Sequence, residues 1–201
     1  MRSIDFTKAE YLLAAHYVHQ WPDDSGVEIA FAGRSNVGKS SAINAITNQN
    51  RLAKTSKTPG RTQQIVFFDV EDDLRLVDLP GYGYAKAPEQ LRRHWQQFIT
   101  DYLFNRNCLR ALIVPMDIRR PLTELDMTML ECCWQIGLDA HVLLTKSDKF
   151  KHGKASNVLQ GVRRELKSKS STTVQLFSSL KKEGVTQARE VLTKFCQEEV
   201  A

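Results

Sequence analysis

The stretch that decides the fold spans residues 27–47 and reads VEIAFAGRSNVGKSSAINAIT. Residues 27–32 form an apolar run of strand length, and residues 40–47 carry apolar residues at helical spacing. Between them, residues 33–40 match the pattern GxxxxGKS, whose small residues let successive backbone N–H groups turn towards phosphate at the N-terminus of the helix. The sequence therefore predicts a phosphate-binding loop that connects a buried strand to a helix.

All eight residues of this loop are predicted to bind a nucleotide: Gly33, Arg34, Ser35, Asn36, Val37, Gly38, Lys39 and Ser40. Lys39 is expected to place its charge beside the β- and γ-phosphates, and the Ser40 hydroxyl is placed to ligate Mg²⁺. The loop alone predicts phosphate and Mg²⁺ but does not choose between nucleotide bases.

The rest of the chain alternates strand-like runs with amphipathic stretches, a pattern typical of a mostly parallel sheet wound by helices. The predicted strands cover residues 27–32, 64–70, 74–78, 111–116, 140–144 and 173–177, with the second and third paired as a hairpin. The predicted helices cover residues 40–47, the segments after Pro88 and Pro121, and residues 155–167 and 185–195. We expect an α/β P-loop NTPase with a six-stranded sheet and helices on both faces. Residues 1–201 form one domain in this prediction, and residues 1–24 are an N-terminal extension that packs on it.

Composition limits the class of protein. At 201 residues with 42% hydrophobic content, the chain is long enough for one domain with a proper core. Four cysteines, two of them adjacent at Cys132 and Cys133, are too few for a disulfide framework, and no Cys/His spacing suits zinc. The N-terminus lacks the apolar stretch of a signal peptide, and the longest apolar runs have the length of strands. We therefore expect a cytoplasmic protein without a membrane anchor.

The formal net charge of +5 is distributed unevenly. Against one acid, Glu165, the segment from residue 149 to residue 182 carries nine bases: Lys149, Lys151, Lys154, Arg163, Arg164, Lys167, Lys169, Lys181 and Lys182. Two interpretations stay open for this segment. It is either a solvated helix face or a surface that meets RNA or another polyanion.

A second candidate motif is the sequence DLPG at residues 78–81, which follows a predicted strand. The Asp78 carboxylate can hold Mg²⁺ through water, and the N–H of Gly81 can approach a γ-phosphate. Leu79 and Pro80 complete this part of the site. Its position about forty residues after the phosphate loop, on the next strand pair, distinguishes it from an ordinary turn.

The loop before that strand pair contains TPGRT at residues 58–62. A γ-phosphate sensor requires a threonine in a flexible loop, and both Thr58 and Thr62 qualify by their chemistry. The alternative is an ordinary Pro-Gly turn.

Residues 145–148, with the sequence TKSD, are predicted to select the base. The Asp148 carboxylate can accept two hydrogen bonds from the N1–H and the amino group of guanine, which adenine does not offer, and the stem of Lys146 can cover the ring. The alternative is that Asp148 caps the following segment. Residues 177–179 end the last strand at the same edge of the sheet, where a backbone N–H can meet guanine O6. The predicted base site comprises Thr145, Lys146, Ser147, Asp148, Phe177, Ser178 and Ser179.

Taken together, these motifs resemble the translation-factor-related GTPases, the group of the TrmE-Era-EngA-EngB-septin-like proteins, and most closely the EngB/YihA (YsxC) family of bacterial GTPases. The resemblance covers nearly the whole chain. The matching segments are GRSNVGKSS (33–41), TSKTPGRTQ (55–63), DLPGYGYA (78–85), DIRRPLT (117–123), TKSD (145–148) and FSS (177–179). The sequence departs from Ras-type motifs at Thr145, where Asn is usual, and at Ser179, where Ala is usual. Both departures are typical of the family that it resembles.

The resemblance implies a Ras-like G domain that binds GTP or GDP, with Thr62 as the switch threonine and second Mg²⁺ ligand. It also implies that the segment Gly60, Arg61, Thr62, Gln63 and Gln64 lines the nucleotide. The residues assigned to catalysis are Lys39, Thr62, Gly81 and Asn36. In related GTPases an Asn at the Asn36 position coordinates K⁺, which supplies the charge of an arginine finger. The alternative is that Asn36 only tolerates a left-handed turn.

Ras-like enzymes position the attacking water with a Gln directly after DxxG, and Tyr82 holds that place here. Gln63 and Gln64 are possible substitutes, but nothing in the sequence places them. We therefore expect slow intrinsic GTP hydrolysis that a partner accelerates.

The resemblance further implies a role in assembly of the large ribosomal subunit and in normal cell division and septation. The expected partners are GTP or GDP and the large subunit or its rRNA, and the expected oligomeric state is a monomer. One alternative is an RNA-binding assembly module that keeps GTP or GDP as a structural ligand with negligible hydrolysis. Another is a P-loop kinase of nucleosides or nucleotides, which has no use for residues 145–148 and 177–179.

Overall fold

The computed structural model of the chain describes residues 4–54, 64–71, 73–82 and 89–197, with side chains described from residue 97 onward in the last range. Within these ranges the strands are β1 (Glu10–Ala15), β2 (Val27–Phe31), β3 (Ile65–Asp69), β4 (Leu74–Asp78), β5 (Leu109–Asp117), β6 (Asp139–Thr145) and β7 (Thr172–Leu176). The α-helices are α1 (Lys39–Thr47), α2 (Glu89–Asn105), α3 (Glu124–Gln135), α4 (His152–Glu165) and α5 (Val185–Gln197). The predicted order of strands and helices from residue 27 onward is confirmed.

One seven-stranded sheet in the order β1-β3-β4-β2-β5-β6-β7 organises the molecule. Strand β2 lies parallel to both β4 and β5, and β5, β6 and β7 are parallel to one another. Strand β3 is antiparallel to β1 and to β4, so the predicted hairpin is confirmed. The mostly parallel α/β class is confirmed as well.

The prediction of six strands was wrong, because the N-terminal extension contributes β1 to the edge of the sheet. Glu10 pairs with Asp69 and Ala15 pairs with Ile65, with an irregularity between Tyr11 and Leu13. The sequence EYLLAA favours helix by intrinsic propensity and lacks the alternation of a half-buried strand. Pairing with β3 decides the conformation of this segment, and a single sequence does not reveal that pairing.

Helices cover both faces of the sheet, as predicted. On one face, Tyr102 of α2, Leu130 of α3 and Val162 of α4 belong to one buried apolar cluster. On the other face, Ile43 of α1 and Leu192 of α5 belong to a second buried apolar cluster. Because both faces of the central strands are covered, β2 and β5 are apolar along almost their whole length.

The N-terminal extension reaches this second cluster through Phe6, which is 1% exposed and begins a short 3₁₀ turn, Phe6–Lys8. Gln49, just after α1, donates from its side-chain amide to the carbonyl oxygens of Thr7 and Ala9 at 3.0 and 2.6 Å. The extension is therefore fixed to the sheet by strand pairing and to the helical layer by a buried aromatic ring.

The two ends of the parallel strands carry different side chains. At the carboxyl ends of the parallel strands lie the loops that hold the predicted site residues. At the other end of β2, Glu28 is fully buried, and its carboxylate accepts hydrogen bonds from Arg106 at 2.6 and 2.9 Å, from the Tyr102 hydroxyl at 2.7 Å and from Arg75 at 3.0 Å. Burial and the neighbouring Glu28 charge raise the pKa of Tyr102 well above its usual value.

In the described part of the chain, no helix is long and apolar enough to cross a membrane. All four cysteines, Cys108, Cys132, Cys133 and Cys196, are free thiols. Burial raises the pKa of Cys133 to about 12, so this thiol stays protonated at neutral pH.

Candidate nucleotide-binding site

The phosphate loop follows β2, the strand with two parallel neighbours at the centre of the sheet. Gly38 has a φ of 102° and forms the N-cap of α1, a backbone conformation that favours glycine. At Gly33 a Cβ atom would lie 3.0 Å from both the Pro115 carbonyl oxygen and the Val37 side chain, so the loop passes close to β5. Asn36 has a φ of 65°, in the left-handed region that Asn tolerates better than most residues. This backbone brings the loop to the N-terminus of a helix.

Lys39 begins α1, and its side chain forms an ion pair with Asp78 at the end of β4. The two side chains are 11% and 10% exposed, so a cation and a carboxylate face each other in a partly dehydrated place. Ser40 follows in the first turn of the same helix. Hydroxyl and carboxylate oxygens, such as those of Ser40 and Asp78, are of the ligand type that Mg²⁺ takes, and Mg²⁺ usually binds few protein groups together with phosphates. Within the described residues, no cluster of three or more His, Cys, Asp or Glu side chains offers an all-protein metal site.

The DLPG segment lies directly against the phosphate loop. Tyr82 donates its N–H to the Gly33 carbonyl oxygen at 3.2 Å, and the Ser35 N–H donates to the Tyr82 carbonyl oxygen at 3.1 Å. A Cβ atom on Gly81 would approach Ser35 Oγ to 3.2 Å, so these two residues are in contact. Leu79 and Pro80 are buried, which fixes the start of the segment. The structure therefore brings residues 78–82 and the phosphate loop together.

Thr145 and Lys146 connect the predicted base site to the phosphate loop. The Thr145 hydroxyl lies 2.6 Å from the Val37 carbonyl oxygen and 3.0 Å from that of Met116. Lys146 has a left-handed backbone conformation, and its ammonium donates to the Asn36 carbonyl oxygen at 2.7 Å and to Asp117 at 2.9 Å. Thr145 stands where Asn is usual in Ras-type proteins, and its hydroxyl makes the connection to the loop here.

Asp148 lies in a short 3₁₀ turn, Ser147–Lys149, beside the end of β7. The Ser178 hydroxyl donates to the Asp148 carboxylate at 2.7 Å, and Lys149 lies 3.5 Å from the other oxygen. These contacts hold the pKa of Asp148 below its usual value, mainly through the Ser178 hydrogen bond, so the carboxylate is ionised and only accepts hydrogen bonds. The N-cap of α4 is Lys151, so the alternative that Asp148 caps this helix was wrong.

The last strand joins this turn through backbone and side-chain contacts. The Ser147 N–H donates to the Phe177 carbonyl oxygen at 3.2 Å, and the Ser147 hydroxyl donates to Glu183 at 2.7 Å. Phe177 and Ser178 are buried, whereas Ser179 is exposed. The predicted base-site residues are therefore neighbours in the structure.

Four predicted nucleotide-lining residues, Gly60, Arg61, Thr62 and Gln63, lie outside the described residues, as does Thr58. Gln64 is described, and its side-chain nitrogen lies 2.6 Å from Nε2 of His16 in the N-terminal extension. Gln64 precedes β3, in which Val66 lies opposite Asp78. It therefore lies at the same edge of the sheet as the phosphate loop.

Three acidic residues that the sequence did not assign to the site hold it together, although one of them, Asp117, begins the DIRRPLT segment. Asp117 accepts from Arg119 at 2.6 and 2.8 Å and from Lys146, and these cations hold its pKa well below its usual range. Glu183 accepts the hydrogen bond from the Ser147 hydroxyl. Asp126 accepts from Arg34 of the phosphate loop at 3.1 Å. The spacing Thr123-x-x-Asp126 is a capping-box signal that the sequence does contain, whereas nothing near Glu183 points to its contact.

A basic surface surrounds α4, formed by Lys151, Lys154, Arg163, Arg164, Lys167 and Lys169, all exposed. We call this set the α4 basic surface. Lys154 lies over the Phe150 ring at 4.1 Å, and Lys169 lies over the Trp134 ring at 4.4 Å. Within the described part of the chain, the Arg163, Arg164 and Lys167 side chains make no ion pair. Their charges are therefore available to a partner.

Comparison with known proteins gives a consistent result. A family profile described as "50S ribosome-binding GTPase" matches residues 28–146. The chain is 54% identical over 192 residues to the "Probable GTP-binding protein EngB" of Stenotrophomonas maltophilia, covering 94% of this chain and 96% of that protein. It is 52% identical over 192 residues to the protein of the same name from Xanthomonas oryzae pv. oryzae, covering 94% and 93%.

Among solved structures, the fold is similar to that of a probable GTP-binding protein engB, with a TM-score of 0.70 at 20% identity, covering 86% of this chain and 100% of the other. It is also similar to elongation factor SelB from Methanococcus maripaludis in complex with a GTP analogue, with a TM-score of 0.63 at 14% identity, covering 90% of this chain and 36% of SelB. These likenesses concern the fold alone. From the family profile and the two close relatives, the chain belongs to the 50S ribosome-binding GTPase family and, within it, to the EngB GTP-binding proteins.

Proposed function

We propose that this protein is a Mg²⁺-dependent GTPase that changes state when GTP is hydrolysed to GDP and phosphate. The observation that carries this proposal is the direct connection between its phosphate loop and its base site, through Thr145 to Val37 and Lys146 to Asn36. A nucleotide bound there meets both sites at once. The whole chain, residues 1–201, acts in this proposal as one G domain with residues 1–24 packed on it.

In this proposal the phosphates lie on the loop of residues 33–40, with Lys39 and the Gly81 N–H directed to the γ-phosphate. Ser40 and Thr62 ligate Mg²⁺, and Asp78 holds it through water. Bound Mg²⁺ neutralises charge that develops on the phosphate oxygens. Residues 60–64 line the nucleotide.

Guanine recognition is assigned to Asp148, with Lys146 over the ring and a backbone N–H of residues 177–179 at O6. The test is nucleotide competition with the variant Asp148→Asn. An amide cannot accept both guanine hydrogen bonds, so the variant should lose its preference for GDP over xanthosine diphosphate, whose ring offers the matching acceptor. If the variant keeps the full guanine preference of the unaltered protein, the base assignment is wrong.

Intrinsic hydrolysis is proposed to be slow, because Tyr82 stands where Ras-like enzymes have their water-positioning Gln. The hydroxyl of Tyr82 is also directed at Asp126, at 3.4 Å. Burial and the Asp126 charge raise the pKa of Tyr82 well above its usual value, so the phenol is a hydrogen-bond donor and not a base. Turnover of several per second by the isolated protein would contradict this proposal.

Asn36 has two alternative roles. It either coordinates K⁺ during hydrolysis or only tolerates the left-handed turn. Asn36 is exposed and has a positive φ, and both observations fit either role. Hydrolysis rates in K⁺ and in Na⁺ at equal ionic strength distinguish them. A faster rate in K⁺ supports coordination, and equal rates support the structural interpretation.

We further propose that the protein acts in the cytoplasm as a monomer on the large ribosomal subunit during its assembly, and is thereby required for normal cell division and septation. Family membership and the α4 basic surface support this part of the proposal. RNA phosphates attract clustered cations, and the binding constant then falls steeply as salt rises.

The test uses purified 50S subunits and the double variant Arg163→Glu/Arg164→Glu. We expect the affinity for 50S subunits to fall at least tenfold. The slope of the logarithm of the binding constant against the logarithm of the salt concentration should become shallower by roughly 0.7 to 0.9 for each lost phosphate contact. The matched control is Arg51→Glu/Lys54→Glu, which makes the same change in charge at exposed positions after α1. An equal loss of affinity in both double variants would mean that net charge alone, and not the α4 basic surface, causes the effect.

A second candidate function is an RNA-binding assembly module that holds GTP or GDP as a structural ligand. The replacement of the usual Gln by Tyr82 favours it. Single-turnover hydrolysis with and without 50S subunits separates the two functions. Stimulation by the subunit supports the GTPase, and its absence supports the binding module.

A further inference from the structure

Asp126 is a fully buried carboxylate that the proposed hydrolysis does not use. It lies in the first turn of α3, where one of its oxygens accepts the Thr123 N–H at 3.1 Å and the Thr123 hydroxyl at 2.8 Å. The bond from the Thr123 N–H is one half of the capping box of the helix, and the other half is the Asp126 N–H, which donates to the Thr123 side chain.

The other oxygen of Asp126 faces the nucleotide site. It accepts from Nε of Arg34, in the phosphate loop, at 3.1 Å, and the Tyr82 hydroxyl lies 3.4 Å away. The Arg34 guanidinium also donates to the Arg120 carbonyl oxygen at 3.1 Å, in the turn that leads to α3. One carboxylate therefore contacts the phosphate loop, the residue after DLPG and the start of a helix.

A helix cap does not require this arrangement. A capping side chain needs one oxygen and commonly lies at the surface, whereas a buried charge is costly unless it is paired and fully hydrogen-bonded. Asp126 is 0% exposed, and its partner Arg34 is 23% exposed. Its second oxygen is committed to Arg34 and Tyr82, whose backbones are themselves joined as a short parallel bridge.

We propose that Asp126 is a positioning residue that holds residues 81–82 against the phosphate loop and couples their position to α3. This inference rests on the proposed function as a GTP-dependent switch. Only GTP carries the γ-phosphate that Gly81 is expected to meet, so the order of residues 81–82 affects GTP binding and leaves GDP binding unchanged. Through the shared carboxylate, the start of α3 follows the nucleotide state.

The first test compares dissociation constants of GDP and of a non-hydrolysable GTP analogue for Asp126→Asn. An amide presents N–H groups to either Arg34 or Thr123, which are both donors, so one side of the arrangement is lost. The GTP analogue should bind about tenfold more weakly, the size expected when a hydrogen bond to a charged group is lost. The affinity for GDP should stay within about twofold.

The matched control is Thr123→Ala, which removes the hydroxyl bond to the cap oxygen and leaves the Arg34 and Tyr82 contacts in place. It should lower the melting temperature without changing the ratio of the two affinities. Arg34→Gln and Tyr82→Phe each remove one contact to Asp126, and Arg34→Gln also removes the bond to the Arg120 carbonyl oxygen. Each should shift the ratio in the same direction as Asp126→Asn by a smaller factor. If Asp126→Asn does not fold, these two variants carry the test.

A second readout follows α3 itself. Amide hydrogen exchange at the start of α3 should be slower with the GTP analogue than with GDP in the unaltered protein, and this difference should disappear in Tyr82→Phe. Equal weakening of both nucleotides, or a shifted affinity ratio in Thr123→Ala, would overturn the inference and leave Asp126 as a cap. Failure of the proposed function is separate, because it would appear in the unaltered protein as the absence of GTP hydrolysis both with and without 50S subunits.

Discussion

At the scale of single residues, His141 is a titratable side chain buried in the core of the sheet. It lies in β6, is 2% exposed, and contacts the Thr173 hydroxyl at 2.7 Å and the Gln175 side chain at 3.0 Å. Burial lowers the pKa of His141 to about 4, from an ordinary value of 6.5. The imidazole is therefore neutral in the folded protein at neutral pH.

This depressed pKa predicts acid sensitivity. Between pH 6.5 and about pH 4 the unfolded chain binds a proton at His141 that the folded chain does not, so the free energy of unfolding falls as the pH falls through this range. The full loss is about 3 kcal/mol at 1.36 kcal/mol per pKa unit. Urea unfolding between pH 4 and pH 7 measures it.

The variant His141→Gln should lack this part of the pH dependence, while His152→Gln, at an exposed position, should keep it. The useful quantity is the difference in unfolding free energy between variant and unaltered protein, because Asp and Glu carboxylates also titrate at the acid end of this range. Parallel stability curves for all three proteins would mean that His141 does not cause the loss.

At the scale of secondary-structure elements, β1 and the turn before it join the N-terminal extension to the sheet. Phe6 is 1% exposed and packs in the cluster beneath α1 and α5. Replacing a buried Phe by Ala removes its transfer energy and leaves a cavity, and typically costs about 3–5 kcal/mol. We expect Phe6→Ala to lower the free energy of unfolding by this amount, as measured by urea denaturation.

Tyr17→Ala serves as the control, since Tyr17 is 58% exposed and lies in the same extension. It should change the stability by less than about 0.5 kcal/mol. If Phe6→Ala is equally mild, the extension contributes little to the stability of the fold.

The elements also indicate what a single sequence can predict. The phosphate loop was predictable because GxxxxGKS between an apolar strand and a helix leaves few alternatives, and TKSD and FSS follow later strands at the same edge. Strand β1 was not, because EYLLAA has no alternation and pairs only with the edge of β3. Glu183 was also missed, because its contact with Ser147 spans 36 positions and depends on the tertiary fold.

At the scale of the whole molecule, the carboxyl ends of the parallel strands carry the candidate site, and the opposite ends are stabilised by a buried ionic cluster around Glu28. Glu28 is 0% exposed and paired with Arg106 and Arg75, which are 4% and 11% exposed. Removing one partner of a buried ion pair leaves the other charge uncompensated and costs about 3–5 kcal/mol. We therefore expect Glu28→Gln to lower the free energy of unfolding by about 3 kcal/mol, while the affinity for GDP stays unchanged in the folded protein.

Tyr102→Phe is the matched variant, since it removes one hydrogen bond to Glu28 and keeps both ion pairs. It should cost about 1–2 kcal/mol. Denaturant unfolding gives the stabilities, and GDP titration of the folded variants reports the site. A loss of GDP affinity in Glu28→Gln would mean that the ionic cluster is coupled to the nucleotide site at the other end of the strands.

The order of the strands has a consequence for how the molecule is made. The phosphate loop follows β2, but Thr145, which fixes it, lies 108 positions after Val37, and Ser178, which holds Asp148, comes later still. A chain that grows from its N-terminus acquires its glycine loop early, and the proposed guanine site is complete only when β7 has joined the sheet. Under the proposed function, unfinished chains do not compete with finished ones for GTP, and the first guanine nucleotide that a new molecule binds reports that β7 is in place.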